Sequence, residues 1–137
     1  MILLDTNVIS ELMKSTPEHA VERWFLMHEE ETCLASVSIG ELAYGIDKLD
    51  GGVRKTKFQN QLSEWRIRYV NRTFVFDVMA AMTYGDLLAS ARRRGRTMSV
   101  PDAQLAAIAK DQGCEIATRN TKDFTTTGLN LIDPWLQ

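Results

Sequence analysis

Met1-Ile2-Leu3-Leu4-Asp5-Thr6-Asn7 opens the chain. Four apolar residues without polar alternation describe a strand buried on both faces, and such a strand belongs in the middle of a parallel sheet covered by helices. The run then stops on a carboxylate. Thr6 reads as the N-cap of a helix over residues 7–13, which leaves Asp5 at the carboxyl end of a central strand. That rim is where open α/β sheets build their sites.

Outward from this strand, helical and strand patterns alternate. Residues 17–27 carry apolar positions at helical spacing, with Pro17 as a first-turn residue and Glu29-Glu30-Glu31 beyond the end. Residues 32–35 form a second strand. Ser36, Val37 and Ser38 lead into a helix with the core stripe Ile39, Leu42, Ile46 and Leu49, closed by Gly51-Gly52. A long amphipathic helix over 53–70 follows, with Phe58, Leu62, Trp65 and Tyr69 on its core side. Further strands are expected over 73–76, 114–118 and 129–132, with helices over 78–94 and 101–110. Strands alternating with helices predict a three-layer α/β/α fold around a parallel sheet.

The 137 residues make one domain, 1–137, large enough for a sizeable core, and 45% hydrophobic with 25% charged residues is ordinary for a soluble protein. Sixteen basic against 18 acidic residues give a net charge of −2. A global basic field is therefore excluded, and any nucleic acid must be attracted by local patches. Cys33 and Cys114 each sit in or beside an apolar run and read as buried free thiols. No apolar run approaches the roughly 20 residues of a membrane helix, and the chain opens directly on a core strand, so a cytosolic protein is expected.

Five acids fall at strand ends or helix starts: Asp5, Glu41, Asp77, Asp102 and Asp123. Asp77 reads as a plain N-cap. Ser38-Ile39-Gly40-Glu41 and Ser99-Val100-Pro101-Asp102 both fit a capping box, in which the carboxylate reaches back to a free backbone N–H. Asp5 resists that reading because Thr6 already serves as cap, and a carboxylate ending a buried strand needs a partner. Asp102 has Ala106 and Ala109 on its own face, so it points at packed structure. Carboxylates converging on one rim repel unless a divalent cation neutralises them, and oxygen ligands without His or Cys select Mg2+ or Mn2+. Such a cluster suits phosphodiester hydrolysis.

Asp5-Thr6-Asn7, Ser36 to Glu41-Leu42, Pro101-Asp102 opening an alanine-rich helix, Ala117-Thr118-Arg119-Asn120-Thr121-Lys122-Asp123-Phe124 and the closing Asp133-Pro134-Trp135 together resemble a PIN-domain ribonuclease. The likeness runs through the whole chain and is strongest to VapC-like toxins of toxin–antitoxin pairs, in the branch that includes FitB. It implies a five-stranded parallel sheet, a Mg2+- or Mn2+-dependent endonuclease acting on RNA, and a homodimer. A small antitoxin would neutralise it by laying a C-terminal segment across the active-site groove, while the antitoxin's N-terminal part binds operator DNA.

On that resemblance Asp5 and Asp102 hold the metal directly, and Glu41 holds a second ion or the attacking water. Thr6, Asn7 and Thr118 keep those carboxylates in place. Arg119 is a candidate contact to the scissile phosphate. Some PIN domains carry an Asp after Thr-Arg, where this chain has Asn120, so Asp123 is expected to supply the fourth charge through a water with Asn120 as a neutral neighbour. The run Arg92 to Arg96 is explained by a helix C-terminus, with RNA or antitoxin contact as the other reading. Two rival classes are weighed. A phosphotransfer or receiver-like domain wants a second acid near Asp5, and Asn7 stands there instead. A silent binding module would use the acids as caps alone.

Overall fold

The computed structural model describes residues 1–137. At its centre lies β1 (Ile2–Leu4), every residue of which is buried. β1 is flanked by β2 (Thr32–Ala35) and β4 (Glu115–Ala117), with β3 (Thr73–Phe74) outside β2 and β5 (Leu131–Ile132) outside β4. All pairs are parallel, and Leu3 stands opposite Cys33 on one side and Ile116 on the other.

Side chains alternate across a strand, so one three-residue segment serves two cores. Ile2 and Leu4 enter a cluster with Val8, Ile9, Trp24, Phe25, Leu42 and Tyr69, drawn from α1 (Thr6–Leu12), α2 (His19–His28), α3 (Ser36–Asp47) and the residue after α4 (Val53–Arg68). Leu3 enters the other, with Ala80 and Leu87 of α5 (Val78–Arg93) and Leu105 and Ile108 of α6 (Val100–Gln112). The result is the expected α/β/α sandwich. From β1 the chain builds outward to β2 and β3, then crosses back to β4 and β5. The order therefore reverses between β1 and β4, and the crevice at their carboxyl ends is the topological switch point.

Several local expectations are corrected. Asp5, with extended backbone angles, is the N-cap of α1, and its Oδ1 accepts from Thr6 N at 2.7 Å; Thr6 is the first helical residue. Pro17 lies before α2, whose N-cap is Glu18. Ser38 is the third residue of α3, buried and with its hydroxyl unpartnered, so no capping box joins it to Glu41. Gly52, at φ 136°, precedes α4 instead of closing α3, which ends at Asp47. β3 and β5 are two residues each, because only those residues pair with a neighbour.

Other readings hold. Asp77 caps α5, accepting from Ala80 N at 2.9 Å, and residues 121–124 form a single 3-10 turn with Phe124 buried. Gly113 ends α6 in the left-handed region at φ 66°, which only a residue without Cβ enters freely. Cys33 and Cys114 are free and buried, their sulfurs 3.9 Å apart. No helix is long and apolar enough to cross a membrane.

Candidate active site

The reversal between β1 and β4 brings together residues far apart in sequence. Asp5 leaves β1, and its N–H donates to Ala117 O at 3.0 Å, so the two strand ends are locked side by side. Thr118 follows β4 and donates from its hydroxyl to Asp5 Oδ2 at 2.7 Å. Asn7 Nδ2 donates to the same oxygen at 3.1 Å and to Thr118 Oγ1 at 3.3 Å, while Asn7 Oδ1 accepts from Arg119 N at 3.2 Å. Asn120 N donates to Thr118 Oγ1 at 3.0 Å. Thr6, Asn7, Thr118 and Asn120 thus form one hydrogen-bonded clasp around a single carboxylate.

A polar cavity of about 460 Å³ opens over that clasp. Asp5, Glu41 and Asp102 all line it, with Thr6, Asn7, Arg119 and Asn120. Glu41 comes from the second turn of α3, and its Oε1 accepts from Thr6 Oγ1 at 3.2 Å. Asp102 comes from the first turn of α6, where Ser99 Oγ caps the helix by accepting from Asp102 N at 3.2 Å. Half of the expected capping box is present there, leaving the Asp102 carboxylate beside the cavity. Asp123 lies outside the lining residues, but its charge acts on both Asp5 and Asp102. The run Arg92 to Arg96 closes α5 away from this cavity.

The electrostatics are those of carboxyls gathered at a partly buried rim. Burial pushes the Asp5 carboxyl above its ordinary range, against the lowering pull of Thr118, Thr6 and Asn7, and Asp123 adds to the rise. Burial raises Glu41 too, with the charges of Asp5 and Asp102 adding to it, and raises Asp102, with Asp5 and Asp123 adding to it. Hydrogen bonds alone do not compensate these carboxylates. No three of the acids stand close enough to enclose an ion by themselves.

Sequence reasoning missed part of the lining. Ser10, Glu11, Lys14 and Trp135 also face the cavity, and Arg119 lies over the Trp135 ring at 5.1 Å. The signal was present as helical spacing, since Thr6, Ser10 and Lys14 recur every four residues and Asn7 and Glu11 lie four apart.

The model of the PIN domain family matches residues 2–128. The chain belongs to the PIN-domain family. This PIN domain is 40% identical to "VapC ribonuclease Y4jK" of Sinorhizobium fredii, over 98% of each chain. It is 31% identical to "Toxin FitB" of Neisseria gonorrhoeae, over 98% of this chain and 99% of that one. The crystal structure of FitAcB from Neisseria gonorrhoeae superposes with a TM-score of 0.93 at 30% identity, covering all of both chains.

Proposed function

We propose that this PIN domain is a divalent-metal-dependent endoribonuclease and the toxin of a toxin–antitoxin pair. The observation that carries the reading is the convergence of Asp5, Glu41 and Asp102, from three separate elements, on one polar cavity in which burial and repulsion from neighbouring acids raise all three carboxyls. Relatives whose names describe ribonucleases and toxins, at 40% and 31% identity over nearly the whole chain, support it.

Asp5 and Asp102 would hold Mg2+ or Mn2+, and Glu41 would hold a second ion or orient the attacking water. The ion supplies a water of lowered pKa and neutralises charge on the phosphate. The chain's own residues do the positioning. Thr118 and Asn7 fix the angle of Asp5, Thr6 ties Glu41 to α1, and Arg119, steadied on Trp135, offers a guanidinium to the scissile phosphate. Asp123, outside the lining, would add negative charge by way of a water beside neutral Asn120. Asp123→Asn is therefore expected to raise the Mn2+ concentration needed for half-maximal cleavage more than it lowers the saturated rate. An unchanged metal dependence would leave the site to the other three acids.

The partners follow the same reading. Continuing from the acidic cavity is an apolar trough lined by Met13, Leu42, Ile46, Leu49 and Phe58, which suits an antitoxin segment laid across both. Operator DNA would be bound through that antitoxin. Val75, Val78, Met79 and Met82, each 62 to 77% exposed around the start of α5, are suited to pairing with a second copy in a homodimer. The working compartment would be the cytoplasm.

Incubation of the purified chain with total cellular RNA plus Mg2+ or Mn2+, followed by sequencing of new 5′ ends, tests the proposal. Discrete metal-dependent cuts, absent with Asp5→Asn, are expected. A wild-type chain that leaves RNA intact with either metal would overturn it.

A further inference from the structure

The side of α1 that faces the cavity is a continuous polar stripe. Thr6, Asn7, Ser10, Glu11 and Lys14 all line the cavity, whereas Val8, Ile9 and Met13 turn into the core. From Thr6 to Lys14 the stripe runs about 12 Å. It begins at the Asp5 carboxylate and ends on a cation.

Glu11 is the unexpected member of the stripe. Its side chain is only 4% exposed, although it is a carboxylate in the last turn of a helix, where the macrodipole disfavours negative charge. A buried carboxylate needs a partner, and no donor other than the Lys14 ammonium, 2.7 Å from Oε2, reaches that oxygen. Lys14 is itself 62% exposed. A lysine that only complemented a helix terminus would extend into water; this one is drawn back onto a buried carboxylate and held beside the cavity.

The charge along the groove gives that arrangement a use. An RNA strand carries a phosphate at every nucleotide, and this groove is floored by Asp5, Glu41 and Asp102. An ion at those carboxylates would serve the phosphate being cut, but the next phosphate along α1 would meet Glu11 and Glu41 unless a cation stood there. Lys14 is the only basic side chain on the α1 wall, and Arg119 stands on the β4 side.

We propose that Lys14 binds a backbone phosphate of the RNA strand beyond the scissile one, and that Glu11 is the positioning residue that holds its ammonium at the groove. The inference rests on the ribonuclease reading for its substrate class. It assigns α1 as the wall along which the strand leaves the reaction centre, with the Ser10 hydroxyl between the two ends.

The test uses binding and turnover separately. Affinity for a fluorescent single-stranded RNA oligonucleotide, measured in the non-cleaving Asp5→Asn chain over a salt series, is expected to fall about tenfold with Lys14→Ala. The slope of log K against log salt should shrink by about 0.7, the value for one lost single-strand phosphate contact. Lys14→Arg should restore the slope. Glu11→Gln should keep the slope, since the cation remains, but weaken affinity severalfold. In chains that retain Asp5, Lys14→Ala should raise KM for RNA with kcat held; its melting temperature should fall because the buried Glu11 carboxylate loses its partner, and adding Glu11→Gln should recover most of that fall without restoring KM. An unchanged slope and KM in Lys14→Ala would overturn the proposal, as would a loss confined to kcat. A wild-type chain that binds RNA with a Lys14-dependent slope yet never cuts would uphold this contact while overturning the nuclease reading.

Discussion

Asp5 uses its two oxygens for different tasks. Oδ1 closes the first turn of α1, and Oδ2 collects the Thr118 hydroxyl and the Asn7 amide. Asp5→Asn keeps the size and removes the charge, and it exchanges one accepting oxygen for an amide donor. Because burial raises this carboxyl above its unfolded value, ionising it costs the folded state stability that is present below the unfolded pKa and lost as pH rises through the folded one. Without metal, the stability of the wild type is therefore expected to fall as pH rises towards 7, and that fall should be smaller in Asp5→Asn, whose side chain does not ionise. Thermal melts of both chains across pH check it. Mn2+ should stabilise the wild type and not the double variant Asp5→Asn, Asp102→Asn. Ser38 gives a complementary case. Its buried hydroxyl has no partner, so Ser38→Ala should be neutral or stabilising by up to about 1 kcal/mol, and RNA cleavage should persist. Glu41→Gln, in contrast, should abolish cleavage with little change in melting temperature. A Ser38→Ala chain that melted several degrees lower would revive the capping box.

Among the elements, β1 carries the greatest weight for its length. Three residues feed both cores and pair on both sides, so every helix layer is referred to it. Leu4→Ala removes a fully buried side chain one residue before the site, and a loss of about 2–5 kcal/mol is expected in denaturant melts. Cleavage by the folded fraction should also fall, because the cavity sits directly under Asp5. α6 works differently. Ala103, Ala106, Ala107 and Ala109 are all buried, so the helix lies close against its neighbours and delivers Asp102 by its first turn alone. These strands and helices were legible in the sequence because burial on two faces and amphipathic spacing are local patterns. Their ends were less so. Whether Thr6 or Asp5 caps α1, or Ser38 caps α3, depends on where the backbone leaves the strand, which both candidates fit on composition.

At the scale of the molecule, four acids and two cations line one crevice, while an exposed apolar surface lies at the start of α5. Val78, Met79 and Met82 occupy adjacent positions at the start of α5, too exposed to contribute to the core. If they pair two copies, Met79→Glu with Met82→Glu should shift the chain from dimer to monomer in sedimentation at micromolar concentration, without lowering its melting temperature by more than a few degrees. A wild-type chain that sediments as a monomer throughout would remove that face from the reading.

The sequence by itself determined the layers, the parallel sheet and the carboxylates at its rim, because hydrophobic period and the residue ending each strand are written in consecutive positions. It also pointed to the PIN family, since Asp5, Glu41, Asp102 and the Thr118 segment recur in that order and spacing. Only the tertiary structure decided which acids share a cavity and which merely approach it. Asp123 stands outside the lining while Glu11 and Lys14 stand within it. The reversal of strand order between β1 and β4 sets those distances, and Coulomb and hydrogen-bond energies depend on separation in space, not along the chain.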